Sequence, residues 1–226
     1  MANLPNAQYN VTAPDSIPAR LATVMRRQMF DRFLRHTGIQ PTQTILDVGV
    51  TSDRAFPSSN YLEAWYPHKN RITAVGLDDA SFLEQLYPGL AFRRADGRDL
   101  PFDDGAFDFA HSSAVLEHVG GADNQRRFIA ELTRVARRAA FITTPNRWFP
   151  IEFHTLMPIV HWLPKEMFRG IMRRINYDFF AKEENLNLVG RSELRGLCAG
   201  LAGCKIAVDH VSVLGWPSNL ILMISK

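Results

Sequence analysis

The sequence predicts an α/β fold, a Rossmann-like open sheet of about seven strands, mostly parallel, with helices on both faces. Short apolar runs alternate with helical segments along most of the chain, which is typical of a parallel sheet covered on both sides. The last two apolar runs, 205–211 and 219–224, are joined by a connection containing Gly-Trp-Pro that is too short for a parallel crossover. We therefore expect one antiparallel strand near the C-terminus.

The first element is a helix. Residues 1–16 are polar and contain two prolines, which predicts an extended arm. Apolar side chains then recur every four residues from Leu21 to Phe33, which predicts a helix over Ile17–His36. Gly38 is a natural stop for that helix. We treat residues 1–37 as an N-terminal arm and helix.

The alternating part of the chain follows. Five apolar runs predict strands, at residues 44–49, 71–77, 90–95, 107–111 and 139–143. Helical segments lie between or after them, at residues 59–65, 81–86, 123–136 and 192–202, the last with Ser192 as its N-cap. Residues 146–185 do not fit the alternation, and we interpret them as a helical insertion or lid.

Composition bounds the functional class. The chain has 226 residues, 46% of them hydrophobic and 22% charged, as expected for one globular domain spanning residues 1–226. A net charge of +3 is too weak to indicate a nucleic-acid partner without a concentrated basic patch. Two cysteines form no disulfide framework, and the sequence shows neither a signal peptide nor a membrane-spanning run. We expect a cytoplasmic location.

Acidic and small polar residues stand at the ends of the predicted strands. In an open α/β sheet, ligands bind outside the carboxyl ends of the strands, so these residues form the candidate site. In strand order they are Asp47 and Gly49, Asp78 and Asp79, Asp96 and Gly97, Ser112 and Ser113, and Thr144 and Asn146.

The acidic bias argues against a phosphate-rich ligand. A pyrophosphate is bound by glycine amides and a helix N-terminus, and Asp53 would place a carboxylate in that turn. A cationic or neutral nucleoside fits better. Asp78 could accept hydrogen bonds from both ribose hydroxyls, and Asp96 could accept one from an exocyclic amine such as that of adenine.

The residues so far resemble a known family. The order ILDVG, VGLDD and ADGRDLPFDDGAFDFAHSSAVLEHV is similar to that of the class I S-adenosylmethionine-dependent methyltransferases, and the part from DLPF to LEHV is the most specific. The resemblance covers roughly residues 40–145. It implies a seven-stranded sheet with one antiparallel strand, and S-adenosylmethionine as the cofactor.

The resemblance also implies a role for each strand-end residue. Asp47 and Gly49 would lie near the methionine end of the cofactor, and Asp78 would bind its ribose. The pair Asp96–Gly97 would contact the adenine edge, and Ser112 the sulfonium side.

The first motif departs from the family pattern. The family usually shows DxGxGxG, whereas this chain reads DVGVTSD from Asp47 to Asp53, so Thr51 and Asp53 replace two glycines. A Cβ atom at these positions narrows the approach of a ligand to the backbone. Either the turn is reshaped, with Thr51, Ser52 or Asp53 contacting the methionine amino group, or cofactor binding is lost. We favour the first, because the acidic strand ends are intact.

Two histidines are candidates for catalysis. Methyl transfer needs a general base only if the acceptor must lose a proton, as a hydroxyl does. His118, in the LEHV segment, is the first candidate, although it could instead orient the loop. His154, in the insertion, could face the acceptor or simply pack in the lid. Some family members bind a metal through ExxEH; Ala114 breaks that pattern here, and we predict no metal.

The insertion is the candidate for reading the acceptor. Its first part, residues 146–174, is rich in aromatic and basic side chains. This mixture indicates an acceptor with apolar and anionic parts, contact with an anionic membrane surface, or a lid that packs on its own domain.

The sequence thus predicts methyl transfer to a small-molecule or to a lipid- or sugar-linked acceptor, with oxygen as the weakly preferred atom and no nucleic-acid partner. The alternatives are a non-catalytic domain that binds a nucleoside or a partner protein, and a nicotinamide-dependent oxidoreductase. The absence of GxGxxG counts against the oxidoreductase.

Overall fold

The computed structural model describes residues 16–54 and 58–226, and the arm predicted for residues 1–16 lies outside them except for Ser16. Within the described residues there are seven strands and six α-helices. The strands are β1 (Ile45–Val48), β2 (Ile72–Gly76), β3 (Ala91–Arg94), β4 (Phe107–Ser113), β5 (Ala136–Pro145), β6 (Lys205–Val213) and β7 (Trp216–Ser225). The helices are α1 (Ile17–Thr37), α2 (Tyr61–Trp65), α3 (Phe82–Leu86), α4 (Ala122–Val135), α5 (Lys165–Arg174) and α6 (Arg191–Gly196).

The described strands form one mixed sheet in the order β3-β2-β1-β4-β5-β7-β6. Neighbouring strands from β3 to β5 pair in parallel, whereas β7 runs antiparallel to both β5 and β6. From β1 the chain continues through β2 and β3 toward one edge of the sheet, and it then crosses back to β4 on the opposite side of β1. The predicted α/β architecture with one antiparallel strand is therefore confirmed, and the switch point lies between β1 and β4.

Both faces of the sheet are buried. Alternate residues of β5 belong to opposite hydrophobic clusters: Ile142 packs with α4 and α6, and Phe141 packs with α1 and α2. The same division holds for Leu222 and Ile221 of β7. Strands buried on both sides read as continuous apolar runs, which is the pattern that predicted a covered sheet.

Helix α1 has the expected ends. The backbone N–H of Ala19 donates to the Ser16 side-chain oxygen at 3.4 Å, which places Ser16 as N-cap. At the other end Gly38 adopts a left-handed conformation with φ of 56°, and its N–H donates to the carbonyl of Leu34. Among the helices of the described ranges, none is both long enough and apolar enough to span a membrane.

Two details differ from the sequence prediction. The final hairpin turns at Leu214 and Gly215, both with positive φ, while Trp216 and Pro217 already belong to β7. Positive φ at two central residues gives the right-handed twist that a tight hairpin needs. Helix α6 is shorter than predicted and begins after Gly190, whose N–H donates to the Glu193 carboxylate at 2.8 Å.

The segment predicted as an insertion, residues 146–185, contains α5 and follows β5. Phe168 and Met172 of α5 pack with Phe180, Leu186 and Leu188 in a small hydrophobic cluster of their own. This cluster gives the segment a fixed shape beside the carboxyl end of β5.

Candidate active site

A cavity of about 570 Å³ opens at the carboxyl ends of the central strands. One wall consists of strand-end residues, and the facing wall includes side chains from the segment after β5. Of the residues predicted to bind the cofactor, five line it: Gly49, Thr51, Asp78, Asp96 and Gly97. Both predicted catalytic residues, His118 and His154, line the same cavity.

The turn after β1 is shaped without the family's extra glycines. Gly49 has φ of 102°, and a Cβ built on it would lie 2.1 Å from a Val115 methyl group, so this glycine is required. Beyond it, the Asn60 side chain accepts from the N–H of Thr51 and donates to the carbonyl of Thr51, both at 2.9 Å. Asn60 therefore holds the reshaped turn through the backbone of Thr51.

The acids after β2 and β3 reach the cavity together with a cation. The Arg98 guanidinium donates to both carboxylate oxygens of Asp96, with the shortest distance 2.6 Å. These hydrogen bonds lower the pKa of Asp96, so it is ionised at neutral pH. Arg98 lines the cavity as well, and it fixes the orientation of the carboxylate.

Two predicted cofactor-binding residues, Asp47 and Ser112, do not line the cavity. Ser112 is fully buried, and its hydroxyl donates to the Val48 carbonyl at 2.7 Å. Its neighbour Ser113 faces the cavity instead, because successive side chains of a strand point to opposite faces. Asp47 and Ser112 are thus buried and lie outside the set of residues that line the cavity, and their contacts with the cofactor stay predictions.

Asp47 belongs to a buried polar network. Its carboxyl lies 2.6 Å from Nδ1 of His111, and Nε2 of His111 lies 2.9 Å from the Tyr61 hydroxyl. Burial raises the pKa of Asp47 to about 7 and lowers the pKa of His111 to about 4. Burial thus disfavours the charge on both partners, and we describe them as a neutral hydrogen-bonded pair.

The two catalytic candidates lie side by side. The rings of His118 and His154 contact edge to face with centroids 4.8 Å apart. Nδ1 of His118 donates to the Asn185 carbonyl at 2.6 Å, and Nδ1 of His154 lies 2.7 Å from the Glu152 carboxylate. Glu117 is fully buried next to them, with its Oε1 atom 3.8 Å from Nε2 of His118.

Burial and neighbouring charges shift the pKa values of these side chains in different directions. Burial, and after it the charge of His154, lowers the pKa of His118 to about 3. Burial also disfavours a charge on Glu152 and on His154. Their ion pair outweighs it, holding the pKa of Glu152 at about 2 and raising the pKa of His154. Burial raises the pKa of Glu117 to about 7.

Sequence reasoning missed several residues of this site. Asn60, Arg98, Glu117 and Glu152 were not singled out, although each fixes a predicted site residue or adjoins one. Arg98 stands two residues from Asp96, and Glu117 precedes His118, so proximity in sequence could have indicated both. Nothing in the sequence pattern indicated Asn60 or Glu152.

Part of the chain is similar in sequence to a known protein family. Residues 46–143 match the sequence profile of a methyltransferase domain family. No curated protein matches the chain in sequence.

Solved structures share the fold at low identity. A SAM-dependent methyltransferase from Methanosarcina mazei has 18% identity and a TM-score of 0.53, covering 85% of this chain and 96% of its own. A Thermotoga maritima protein described as a possible histamine N-methyltransferase has 16% identity and a TM-score of 0.55, covering 93% and 92%. Magnesium protoporphyrin IX methyltransferase from Synechocystis PCC 6803, with bound S-adenosylhomocysteine, has 14% identity and a TM-score of 0.59, covering 97% and 91%.

The donor set of the cavity suits S-adenosylmethionine. Its strand-end wall presents acidic residues, Asp78 and Asp96, which can accept hydrogen bonds from sugar hydroxyls and amines and favour a positively charged ligand. The profile match adds that this sheet edge carries the family's sequence pattern. Residues 46–143 therefore carry the sequence pattern of a methyltransferase domain, and the chain shares its fold with solved S-adenosylmethionine-dependent methyltransferases.

Proposed function

We propose that this enzyme transfers the methyl group of S-adenosylmethionine to an oxygen atom of a small-molecule acceptor bound beside His118 and His154. One observation carries the proposal: the acidic strand ends and the two histidines line one continuous cavity. The match of residues 46–143 to a methyltransferase domain supports catalysis over the non-catalytic alternative and over nicotinamide chemistry.

The strand-end wall would hold the cofactor. Asp78 would accept from the ribose hydroxyls, and Asp96, oriented by Arg98, from the adenine edge. Gly49 and Thr51 would lie beside the methionine end of the cofactor, in a turn that Asn60 stabilises. When bound, S-adenosylmethionine supplies a methyl group already activated by the sulfonium charge.

The side of the cavity lined by His118 and His154 would bind the acceptor. An alcohol oxygen must lose its proton before or during attack. The low pKa of His118 keeps its ring neutral, so Nε2 of His118 would take up that proton as the new bond to carbon forms. The oxygen forms its bond to the methyl carbon as that carbon's bond to sulfur breaks, and both electrons of the broken bond stay on sulfur. Holding the two reactants in line would supply much of the rate.

The segment after β5 would select the acceptor. Phe153, His154 and Leu156 project from it into the cavity wall, and its own hydrophobic cluster holds it in place. An acceptor with an apolar body would pack against these side chains, and its reacting oxygen would face the histidines. We therefore propose that residues 146–185 act as the lid of the acceptor site.

Paired acceptors test the oxygen preference. The enzyme is incubated with radiolabelled S-adenosylmethionine and aromatic compounds that differ only in carrying a hydroxyl, a carboxyl or an amine. We expect the label in the compounds that carry a hydroxyl or a carboxyl group and not in the matching amines, and mass spectrometry locates the methyl group. Label only in amines or on carbon would show that the acceptor atom is wrong, even though methyl transfer itself occurs.

A lipid-linked acceptor is the second candidate, because one group of side chains favours it. Several large apolar residues of the segment after β5 are exposed: Trp148, Ile151, Leu156, Ile159 and Met167. Such residues beside basic ones bind the surface of anionic bilayers. Co-sedimentation with vesicles of anionic and of neutral lipids measures this. Equal absence from both pellets would favour the small-molecule acceptor.

A further inference from the structure

Three potential metal ligands converge at the acceptor end of the cavity. Glu117 and His118 come from the turn after β4, and His154 comes from the lid segment. One ligand atom from each lies within 4.8 Å of those of the other two. We call these three residues the Glu117–His118–His154 cluster.

Both imidazoles are oriented in the way that metal ligands usually are. Nδ1 of His118 faces the Asn185 carbonyl, which can only accept, so this nitrogen carries the proton. Nδ1 of His154 faces the Glu152 carboxylate, which also accepts from the backbone N–H groups of His154 and Thr155. In each ring the lone pair is therefore on Nε2 when the ring is neutral. A histidine fixed at one nitrogen by a carbonyl or carboxylate ligates through the other.

Glu117 provides the second, independent observation. Its side chain is fully buried, and its Oε2 atom accepts from the Thr144 hydroxyl at 2.9 Å. Its Oε1 atom has no hydrogen-bond partner among the described residues, and it points toward the histidines, 3.8 Å from Nε2 of His118. An unpaired buried carboxylate oxygen is costly, and a cation bound there would remove that cost.

The ligand set indicates which ion fits. Two histidines and one glutamate, with a further position open, are the ligands of catalytic zinc sites, whereas magnesium and calcium prefer all-oxygen sites. Ligand atoms around a tetrahedral zinc lie about 3.4 Å apart, so small side-chain rotations would close the cluster from its present spacing. His118 and His154 line the cavity, so the open position would face the acceptor.

We propose that Glu117, His118 and His154 bind one divalent ion of the zinc type, which holds and activates the acceptor oxygen. The second part rests on the proposed function, whereas metal binding itself does not. Such an ion would lower the pKa of a hydroxyl bound to it, and the proton would leave to solvent. The resulting oxygen would then attack the methyl carbon, whose bond to sulfur would break with its electrons remaining on sulfur.

From the sequence we predicted no metal, because Ala114 stands where the ExxEH pattern has its first glutamate. The structure brings the missing ligand from the lid, so closing the acceptor site and completing the metal centre would be the same event.

Direct metal binding tests the proposal. The untagged protein is freed of metal with a chelator, dialysed, and titrated with Zn²⁺ by calorimetry and with Co²⁺ by visible absorption. We expect one ion per chain and a Co²⁺ spectrum of four- or five-coordinate geometry. The variants Glu117→Gln, His118→Ala and His154→Ala should each weaken binding about tenfold or more. His36→Ala removes an exposed histidine at the end of α1 and should leave binding unchanged.

Binding of S-adenosylhomocysteine is measured on the same samples. If the wild type binds no Co²⁺ or Zn²⁺ stoichiometrically while it still binds S-adenosylhomocysteine, the metal proposal is wrong and the proposed function stands. Metal binding that all three cluster variants retain at full affinity, with an unchanged Co²⁺ spectrum, would also overturn it. Because the wild-type spectrum is diagnostic by itself, a variant that fails to fold does not remove the test.

Discussion

Replacing Gly49 by alanine should be among the most destabilising changes at the site. The backbone there has φ of 102°, which L residues rarely adopt, and the new Cβ would lie 2.1 Å from Cγ2 of Val115. The backbone strain costs of the order of 1–3 kcal/mol. Forcing the methyl group into the packed wall costs a further 1–3 kcal/mol or so. We therefore expect a loss of about 2–6 kcal/mol, a large part of the stability of a typical domain.

A matched variant separates the two contributions. Gly38 also has a positive φ, 56°, but a Cβ there would meet no atom within 4 Å. Gly38→Ala should therefore cost only about 1 kcal/mol, from the backbone alone. Urea denaturation followed by circular dichroism gives both values, and an unchanged m-value in each variant would support the two-state comparison.

The clash itself can be tested by a double-mutant cycle. Val115→Ala removes the methyl groups that the new Cβ would meet, so Gly49→Ala combined with it should cost less than the sum of the single changes. Additive costs, or a Gly49→Ala variant no less stable than Gly38→Ala, would refute the contact and with it our explanation of why this one glycine is retained.

Three further predictions follow from the site and its surroundings. Asp78→Ala should weaken S-adenosylhomocysteine binding by about 1.5–3 kcal/mol, roughly 10–150-fold by calorimetry, because a charged acceptor is lost. Asp79→Ala, whose residue does not line the cavity, is the control, and equal effects would contradict our placement of the ribose. Asp47→Asn should change how stability depends on pH. The pKa of Asp47 is raised to about 7, so its protonated form favours folding and the wild type loses stability as pH rises from about 4 to 7. The asparagine variant has no such titration. In urea denaturation, the free energy of unfolding of the wild type should therefore fall by roughly 2–4 kcal/mol relative to that of the variant across this pH range. Parallel pH curves for the two proteins would disprove the raised pKa. Arg134→Ala should cost about 1–2 kcal/mol, because this guanidinium binds two backbone carbonyls as well as carboxylates. Arg126→Ala breaks only an exposed ion pair and should stay within about 0.5 kcal/mol, so similar thermal shifts for the two would contradict this difference.

The candidate site could be predicted in part because of the geometry of parallel strands. Their carboxyl ends meet at one edge of the sheet, so a list of strand ends is already a list of neighbours. Asp78, Asp96 and Gly97 were found in this way, and all three line the cavity. Ser112 and Ser113 end the same strand, and only the structure shows that Ser113 is the one that lines the cavity, because successive side chains of a strand point to opposite faces.

The sequence by itself determined the alternation of strands and helices, the antiparallel end of the sheet and the edge at which acidic residues gather. These follow from periodicity and from chain direction, which are local properties. Only the tertiary structure decided that Asp47 pairs with His111 in the buried interior and that His154 lies next to Glu117 and His118. Those contacts depend on how an irregular segment folds back over the sheet, and no repeat in the sequence encodes that path.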